Sequence, residues 1–370
     1  MQAVLLLALA SCPLPPCEGG FLFPRPPWGG GLGWEVAVRD GGPITPHRNP
    51  PPQGGRGKEA KVVGDVLTAE TATVHFKPID DQADIPERYR LSERSFDYTM
   101  KPLRDLPVSG VEISRVTFPS PVTSPTPENN TVYAEYYRPK GTGPFPAVIV
   151  LDITGGNQEL SRFIARSLAQ NKIAGLFVQM AYYGPRRPPG SKLRLLSTNV
   201  PHTMAAIRQT VLDCRCAAAW LAGRPELDGQ RIGIMGTSLG SFIATLTAEM
   251  DPRFSRVAIL LGGGGLVDAF YDHPQAAPYR KMWEALGGTK EKVKQAFAPV
   301  DPLTEAANLK NRSVLMIAAK RDEIVPPSAA VRLWEAMGKP KIVWYDTTHY
   351  GAALYIPAAL KPLVEHFGAE

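Results

Sequence analysis

From residue 111 to the end of the chain, short apolar runs alternate with longer segments of helical periodicity. The run Ala147–Leu151 contains no polar residue, as is typical of a strand buried on both faces of a parallel sheet. In the intervening segments apolar residues recur every three or four positions, which indicates helices. This alternation predicts an α/β fold with a doubly wound, mostly parallel sheet. The predicted strands are residues 111–118, 131–138, 147–151, 174–178, 231–235, 257–261, 313–318 and 341–345, and the predicted helices include 200–222, 239–250, 328–337 and 352–367.

Three smaller expectations accompany this fold. Residues 266–308 lie between two predicted core strands and should form a small helical insertion over the site, with Tyr279 and Trp283 either lining it or packing it. Cys214 falls on the apolar stripe of the helix 200–222, while Cys216 points elsewhere, so no disulfide should join them. The helix after the run 147–151 should be capped by Asn157 and should bury Leu160, Phe163, Ile164 and Leu168.

The first 12 residues resemble a signal segment. The aliphatic run Ala3–Ala10 is too short to cross a bilayer of about 30 Å. The run ends in Leu9-Ala10-Ser11-Cys12, which resembles the lipobox of bacterial lipoproteins, where cleavage precedes a cysteine that is then acylated. No Lys or Arg precedes the run, which departs from a signal sequence. We expect an exported protein with a membrane tether through Cys12, and an unremarkable apolar N-terminus is the alternative.

The next two segments differ sharply in composition from the main domain, residues 111–370. Of residues 13–58, 11 are Pro and 11 are Gly, and both residue types disfavour regular structure. We expect a disordered spacer there. Residues 59–110 are expected to be an N-terminal extension that packs on the main domain and contains one strand at Thr73–Phe76.

Charge and motif content exclude several functions. The chain has 41 Lys and Arg against 35 Asp and Glu, a net charge of +6, but the basic residues are scattered rather than interleaved with aromatics as on a nucleic-acid-binding surface. We expect no nucleic-acid partner. Metal-binding motifs are not found in the sequence, and the glycine run at 262–265 lacks the Lys-Ser/Thr pair of a phosphate-binding loop. We therefore expect no cofactor.

The sequence contains one Gly-x-Ser-x-Gly motif, Gly236-Thr237-Ser238-Leu239-Gly240. A predicted strand leads into it and a predicted helix leads out, which is the strand-turn-helix context that exposes a nucleophilic serine on a strained turn. Both glycines are expected because neighbouring backbones approach the serine closely. A serine that only caps the helix is the alternative interpretation.

A nucleophilic serine needs a histidine base and an acid that orients it. Asp322 follows the predicted strand 313–318 and His349 follows the predicted strand 341–345, so the chain order is Ser, acid, His. Glu323 is the rival acid. The Leu239 amide is expected to be one donor to the oxyanion, and the amide of Ile153 or Thr154 in the loop after residue 151 the other.

Residues 111–370 resemble the α/β-hydrolase superfamily, especially its dienelactone-hydrolase-like and acyl-esterase branch. The segment Leu151–Asn157 is similar to the loop in dienelactone hydrolases in which an acidic residue precedes the oxyanion amide, which favours Ile153. The segment Met180–Arg187 also resembles that branch. Dienelactone hydrolase itself has a cysteine where this chain has Ser238, so the resemblance implies an esterase instead.

Together these features predict a cofactor-independent serine hydrolase that cleaves small-molecule or polysaccharide-linked esters. A prolyl-oligopeptidase-like serine peptidase is an alternative, although about 100 residues before the sheet are few for its usual propeller. The other alternative is a non-catalytic, surface-anchored protein with the hydrolase fold. Arg186 and Arg187 could attract an acidic sugar, or they could be charges of an exposed loop.

Overall fold

Ten strands pair side by side in one sheet of this computed structural model, which describes residues 69–369 except 107–108, 156–157, 198 and 273–275. The predicted signal segment with Cys12, the spacer 13–58 and the Asn157 cap lie outside the described residues. The strands are β1 Glu70–Phe76, β2 Arg94–Leu106, β3 Val111–Pro119, β4 Thr131–Pro139, β5 Phe145–Leu151, β6 Ala174–Val178, β7 Leu227–Thr237, β8 Phe254–Leu260, β9 Ser313–Ala319 and β10 Lys341–Tyr345.

The sheet has an antiparallel part and a parallel part. The spatial order is β1-β2-β3-β4-β6-β5-β7-β8-β9-β10. Strands β5 to β10 pair in parallel with one another, whereas β1 to β4 pair antiparallel and β4 joins the parallel part through β6. Every residue of β5 is buried, as the uninterrupted apolar run predicted. The doubly wound, mostly parallel α/β sheet is thereby confirmed.

The antiparallel part begins earlier than the sequence indicated. Strands β1 and β2 lie within residues 59–110, the segment expected to be an N-terminal extension that packs on the main domain, and β2 pairs with β3 along most of its length. The predicted boundary at residue 110 therefore does not separate the extension from the sheet. The hairpin of β3 and β4 agrees with the prediction.

Eight α-helices cover the described part of the sheet and form its late insertion. The bounds are α1 Glu159–Gln170, α2 Val200–Ala222, α3 Leu239–Met250, α4 Leu266–Phe270, α5 Ala277–Ala285, α6 Lys290–Phe297, α7 Pro327–Ala336 and α8 Ile356–Gly368. Helices α4, α5 and α6 form the predicted helical insertion between β8 and β9. Short 3-10 helices occur at Glu87–Tyr89, Pro127–Asn130, Gly184–Arg186, Ala298–Val300, Ala306–Leu309 and Gly351–Tyr355.

The core has two layers, one on each face of the sheet. Val148 and Ile149, consecutive in β5, belong to different clusters of buried side chains because adjacent strand residues point to opposite faces. The cluster around Ile149 includes residues of α2, α3 and α7, whereas the cluster around Val148 includes residues of α1 and α8. The helices thus pack on both faces, as a doubly wound fold requires.

Two details differ from the predicted helix faces. Phe163 is 46% exposed rather than buried, while Ile164 and Leu168 of the same helix are buried. Cys216 is as fully buried as Cys214, because α2 is enclosed on nearly all sides, and both thiols are free. None of the described helices is long and apolar enough to cross a membrane.

Candidate active site

Ser238 occupies a strained turn between β7 and α3. Its backbone has φ 51° and ψ −118°, a combination that only a constrained turn imposes on a non-glycine residue. The Ser238 amide donates to Leu260 O at 2.8 Å, which ties the turn to the end of β8. The serine is 8% exposed. The turn therefore has the geometry expected of a nucleophile elbow.

The two glycines of the motif are required by close backbone contacts. A Cβ at Gly236 would lie 2.1 Å from the Gly240 carbonyl carbon. A Cβ at Gly240 would lie 2.5 Å from the carbonyl oxygens of Leu151 and Asp152. The start of α3 is thus packed against the end of β5, which brings the loop after β5 beside Ser238.

The three predicted side chains Ser238, His349 and Asp322 form one hydrogen-bonded chain. His349 Nε2 lies 3.0 Å from Ser238 Oγ, and His349 Nδ1 lies 2.8 Å from Asp322 Oδ2. Strands β7, β9 and β10 run parallel, so the loops that follow them meet at the same edge of the sheet. All three residues are less than a tenth exposed, so their hydrogen bonds are largely shielded from solvent.

Main-chain hydrogen bonds orient the Asp322 carboxylate. Its Oδ1 accepts from the amides of Ile324 at 2.9 Å and Val325 at 2.7 Å, which leaves Oδ2 directed at the imidazole. Glu323 takes a different position: its side chain is exposed, and its Oε2 accepts from the His349 main-chain amide at 3.2 Å. Of the two carboxylates, Asp322 contacts the histidine ring.

The two predicted oxyanion donors, the amides of Leu239 and Ile153, differ in whether they are already hydrogen-bonded. Leu239 is the first residue of α3, where the amide has no acceptor within the helix. The Ile153 amide instead donates to the carboxylate of its neighbour, Asp152 Oδ1, at 2.7 Å. Burial raises the pKa of Asp152 to about 6. The Ile153 amide is therefore beside the elbow, but in this structure it is already hydrogen-bonded.

One residue that the sequence did not single out contacts the loop after β5. The Tyr183 hydroxyl lies 3.2 Å from Thr154 Oγ1. Tyr183 stands in the segment Met180–Arg187, whose resemblance to dienelactone hydrolases is the signal that could have drawn attention to it. Its partner is 29 residues away in the chain, so no local pattern reveals the contact.

The position of Arg186 contradicts both predictions for this residue, a contact with an acidic sugar and a charge on an exposed loop. Its side chain is completely buried and its Nη2 lies 2.8 Å from Asp213 Oδ2, on a side chain that is also completely buried. It is therefore neither an exposed loop charge nor accessible to a sugar. Arg187 is exposed, in agreement with the loop alternative.

An apolar cluster joins the insertion to the nucleophile helix and to the loop that carries Asp322. Phe242 of α3, with Val325 and Ala329, packs against Leu266 and Ala269 of α4. Trp283 donates from its indole nitrogen to Thr289 O at 3.1 Å, so it packs the insertion itself. The side chain of Tyr279 lies outside the described residues. Among the described residues, no three His, Cys, Asp or Glu side chains are grouped to hold a metal ion.

Two family models match parts of the chain. The model described as the prolyl oligopeptidase family matches residues 206–350, and the model described as alpha/beta hydrolase domain containing 18 matches residues 99–262. Among curated proteins, an uncharacterized protein of Mycobacterium tuberculosis is 31% identical over 150 residues, 39% of this chain and 33% of its own length. A second one from the same organism is 26% identical over 210 residues, 56% of this chain and 63% of its own length. The chain thus spans less than two thirds of these relatives.

Solved structures of the same fold include two acetyl xylan esterases. The enzyme from Paenibacillus sp. R4 is 18% identical with a TM-score of 0.55 and covers 72% of this chain and 88% of its own. Acetyl xylan esterase 1 from a Thermoanaerobacterium species is 18% identical with a TM-score of 0.54, over 72% and 87% of the two chains. The α/β-hydrolase fold is confirmed, and the resemblance to these esterases is one of fold.

Proposed function

We propose that this chain, which has the α/β-hydrolase fold, is a serine hydrolase that cleaves carboxylic esters. The observation that carries the proposal is the continuous hydrogen-bonded chain from Ser238 Oγ through His349 to Asp322. A serine hydroxyl is a weak nucleophile without a base, and these contacts supply a base whose second nitrogen is held by a carboxylate.

The geometry supports a two-step mechanism. Ser238 Oγ attacks the ester carbonyl carbon while His349 Nε2 takes the hydroxyl proton, and His349 then returns that proton to the departing alkoxide. The acyl group remains on Ser238. Water then attacks the acyl carbon as His349 takes its proton, and His349 gives that proton to Ser238 Oγ as the bond to the acyl group breaks, which releases the acid and restores the free serine. Asp322 holds the imidazole tautomer and stabilises the imidazolium without taking a proton itself.

The negative charge that forms on the carbonyl oxygen needs donors at 2.7–3.1 Å. Leu239 N–H supplies one from the first turn of α3. The second, Ile153 N–H, has to turn from Asp152 Oδ1 toward the substrate, or be shared between the two oxygens. We expect this small change of the loop on substrate binding, since catalytic hydrogen bonds often tighten only in the substrate complex.

We propose small acyl esters as substrates, including acyl groups carried on a polysaccharide. The resemblance in fold to acetyl xylan esterases supports this class. No metal or other cofactor is part of the proposal.

A serine peptidase is the second candidate, because the match to the prolyl oligopeptidase family spans Ser238, Asp322 and His349. We rank it second because the likeness in fold is to two acetyl xylan esterases. Peptide anilides with proline at the cleaved bond would separate the two activities.

A fluorophosphonate probe tests the proposal directly. The wild-type chain should be labelled on Ser238, as located by peptide mass spectrometry, and Ser238→Ala should not be labelled. Before it is treated with the probe, the wild-type protein should hydrolyse p-nitrophenyl esters and the labelled protein should not; a series of acyl lengths and acetylated sugars would define the substrate. An unlabelled wild-type protein that hydrolyses none of these would favour the non-catalytic alternative.

We further propose that the protein is exported and tethered to a membrane through acylated Cys12. The proposal is supported by the likeness of residues 9–12 to a lipobox. Cys12 lies outside the described residues.

A further inference from the structure

Residues Asp152 to Gly155, called the oxyanion loop here, are held by a tyrosine from a different part of the chain. The Tyr183 hydroxyl oxygen lies 3.2 Å from Thr154 Oγ1, and either hydroxyl can donate to the other. The loop is thus attached through Thr154 to the segment that carries Tyr183.

Tyr183 is buried, and its chemistry suits a fixed anchor. The side chain is 8% exposed. Burial raises the pKa of its phenol above the ordinary value, so the hydroxyl stays neutral and able to donate throughout the pH range in which a serine hydrolase operates.

The segment that carries Tyr183 is itself firmly anchored. The Ala181 amide donates to Thr210 Oγ1 at 3.1 Å and the Tyr182 amide donates to Asn129 Oδ1 at 3.0 Å. Arg186 Nη1 donates to Gln179 O at 3.0 Å, which closes the segment on itself. The buried ion pair of Arg186 with Asp213 connects it to α2. Movement of Tyr183 would therefore disturb several buried polar contacts.

The oxyanion loop lies between this anchor and the nucleophile elbow. On the elbow side, a Cβ at Gly240 would meet the Asp152 carbonyl oxygen at 2.5 Å, so the start of α3 limits how far the loop can move toward it. On the other side, the contact with Tyr183 limits how far Thr154 can move away. The position of the Ile153 amide is set between these two contacts.

We infer that Tyr183 is a positioning residue, whose hydroxyl holds the oxyanion loop so that the Ile153 amide can reach the oxyanion on the substrate bound at Ser238. The inference rests on the proposed function. A displacement of about 1 Å in a catalytic group can cost about 100-fold in rate. Loss of the hydroxyl should therefore affect the chemical step and leave ground-state binding nearly unchanged.

Tyr183→Phe removes only the oxygen and keeps the buried ring. We expect kcat on p-nitrophenyl acetate to fall about 10- to 100-fold, less than or equal to the loss on deleting an oxyanion donor, with KM within about threefold. Tyr182→Phe is the matched control. It removes the hydroxyl of the neighbouring tyrosine, whose ring packs against His202 with 4.5 Å between centroids rather than against the oxyanion loop. It should keep kcat within about twofold of wild type. Thr154→Val should lower kcat as Tyr183→Phe does. Thr154→Ser keeps the hydroxyl and should therefore keep kcat near the wild-type value.

Hydrogen exchange of the peptide that spans residues 152–155 gives a readout that does not depend on activity. Exchange should be faster in Tyr183→Phe and unchanged in Tyr182→Phe. If exchange is unchanged in Tyr183→Phe, or if its kcat falls no further than that of Tyr182→Phe, the inference is overturned. If exchange responds as expected while the wild type neither hydrolyses esters nor reacts with a fluorophosphonate, the loop contact stands and the proposed function fails.

Discussion

The Glu323 carboxylate accepts a hydrogen bond from the main-chain amide of His349 at 3.2 Å, while the imidazole of the same residue is bonded to Asp322. Two neighbouring acids thus hold two different parts of one histidine. Asp322 controls the tautomer of the ring, whereas Glu323 restrains the backbone from which the ring projects.

This division predicts unequal effects of two isosteric substitutions. Asp322→Asn should lower kcat by roughly 10⁴, as loss of the correct tautomer does in the Ser-His-Asp template. Glu323→Gln retains an oxygen that can accept from the His349 amide, so kcat should fall less than about tenfold. Steady-state kinetics on one ester would measure both, with circular dichroism to confirm folding. A greater loss in Glu323→Gln would show that the acid is misassigned.

Arg186 and Arg187 are adjacent, but their substitution should have different consequences for stability. Arg186→Ala leaves the buried Asp213 carboxylate without its ion-pair partner, so the free energy of unfolding should fall by about 3–5 kcal/mol. Arg187→Ala removes an exposed charge and should change it by less than about 0.5 kcal/mol. Urea denaturation of both variants measures the difference. Equal values would mean that the Arg186 pair does not support the fold.

Glu249 should make stability depend on pH. Its side chain is buried in α3 and, within the described structure, neither carboxyl oxygen has a hydrogen-bond partner. Burial, with Glu305 and Asp301 nearby, raises its pKa well above the ordinary 4.5. The folded chain therefore keeps the proton where the unfolded chain loses it. As pH rises above 4.5, the free energy of unfolding should fall by up to about 1.4 kcal/mol per pH unit, until the folded-state pKa is passed.

Glu249→Gln keeps the size of the side chain and cannot ionise, so it should gain stability over the wild type as pH rises. Urea denaturation between pH 4.5 and 8 would measure the difference at each pH. Glu291→Gln, on the exposed face of α6, is the control. Its free energy of unfolding should change with pH in parallel with that of the wild type. A Glu249→Gln curve that is also parallel would contradict a buried, protonated Glu249.

Cys12 can be tested without reference to catalysis. In a bacterial host, Cys12→Ala should move the protein from the membrane fraction to the soluble fraction, since one acyl chain on the cysteine is the proposed tether. Incorporation of radiolabelled palmitate into the parent provides the chemical check. Unchanged fractionation, or a parent that incorporates no palmitate, would rule out the lipoprotein proposal.

The sequence predicts most of the parallel sheet because buried strands and amphipathic helices leave strong local patterns. Strands β5, β6 and β10 and the helices α2 and α3 appear close to their predicted bounds. Strand β1 is less evident because most of its side chains are exposed, so its sequence lacks an apolar run. Its membership of the sheet depends on pairing with β2.

The site shows the same division between local and tertiary information. The positions of Ser238, Asp322 and His349 just after three strands of the predicted parallel sheet were sufficient to propose that they meet. The burial of Arg186 was not predictable, because its partner Asp213 is on a helix that begins 14 residues later in the chain. The bond from Ile153 to Asp152 depends on the exact turn of the loop, which composition does not encode.

The base is supplied by the last strand at one edge of the sheet. Among the strands that the structure describes, β10 pairs only with β9, and β8 and β9 separate it from β7, which carries the elbow. An edge strand opens more readily than central ones because it has one neighbour to leave, and such sub-global openings occur well below the global transition. Detachment of β10 would carry His349 away while the central strands and the serine turn stay folded. On heating, activity should therefore be lost at a lower temperature than the one at which the whole protein unfolds, and it should return on cooling.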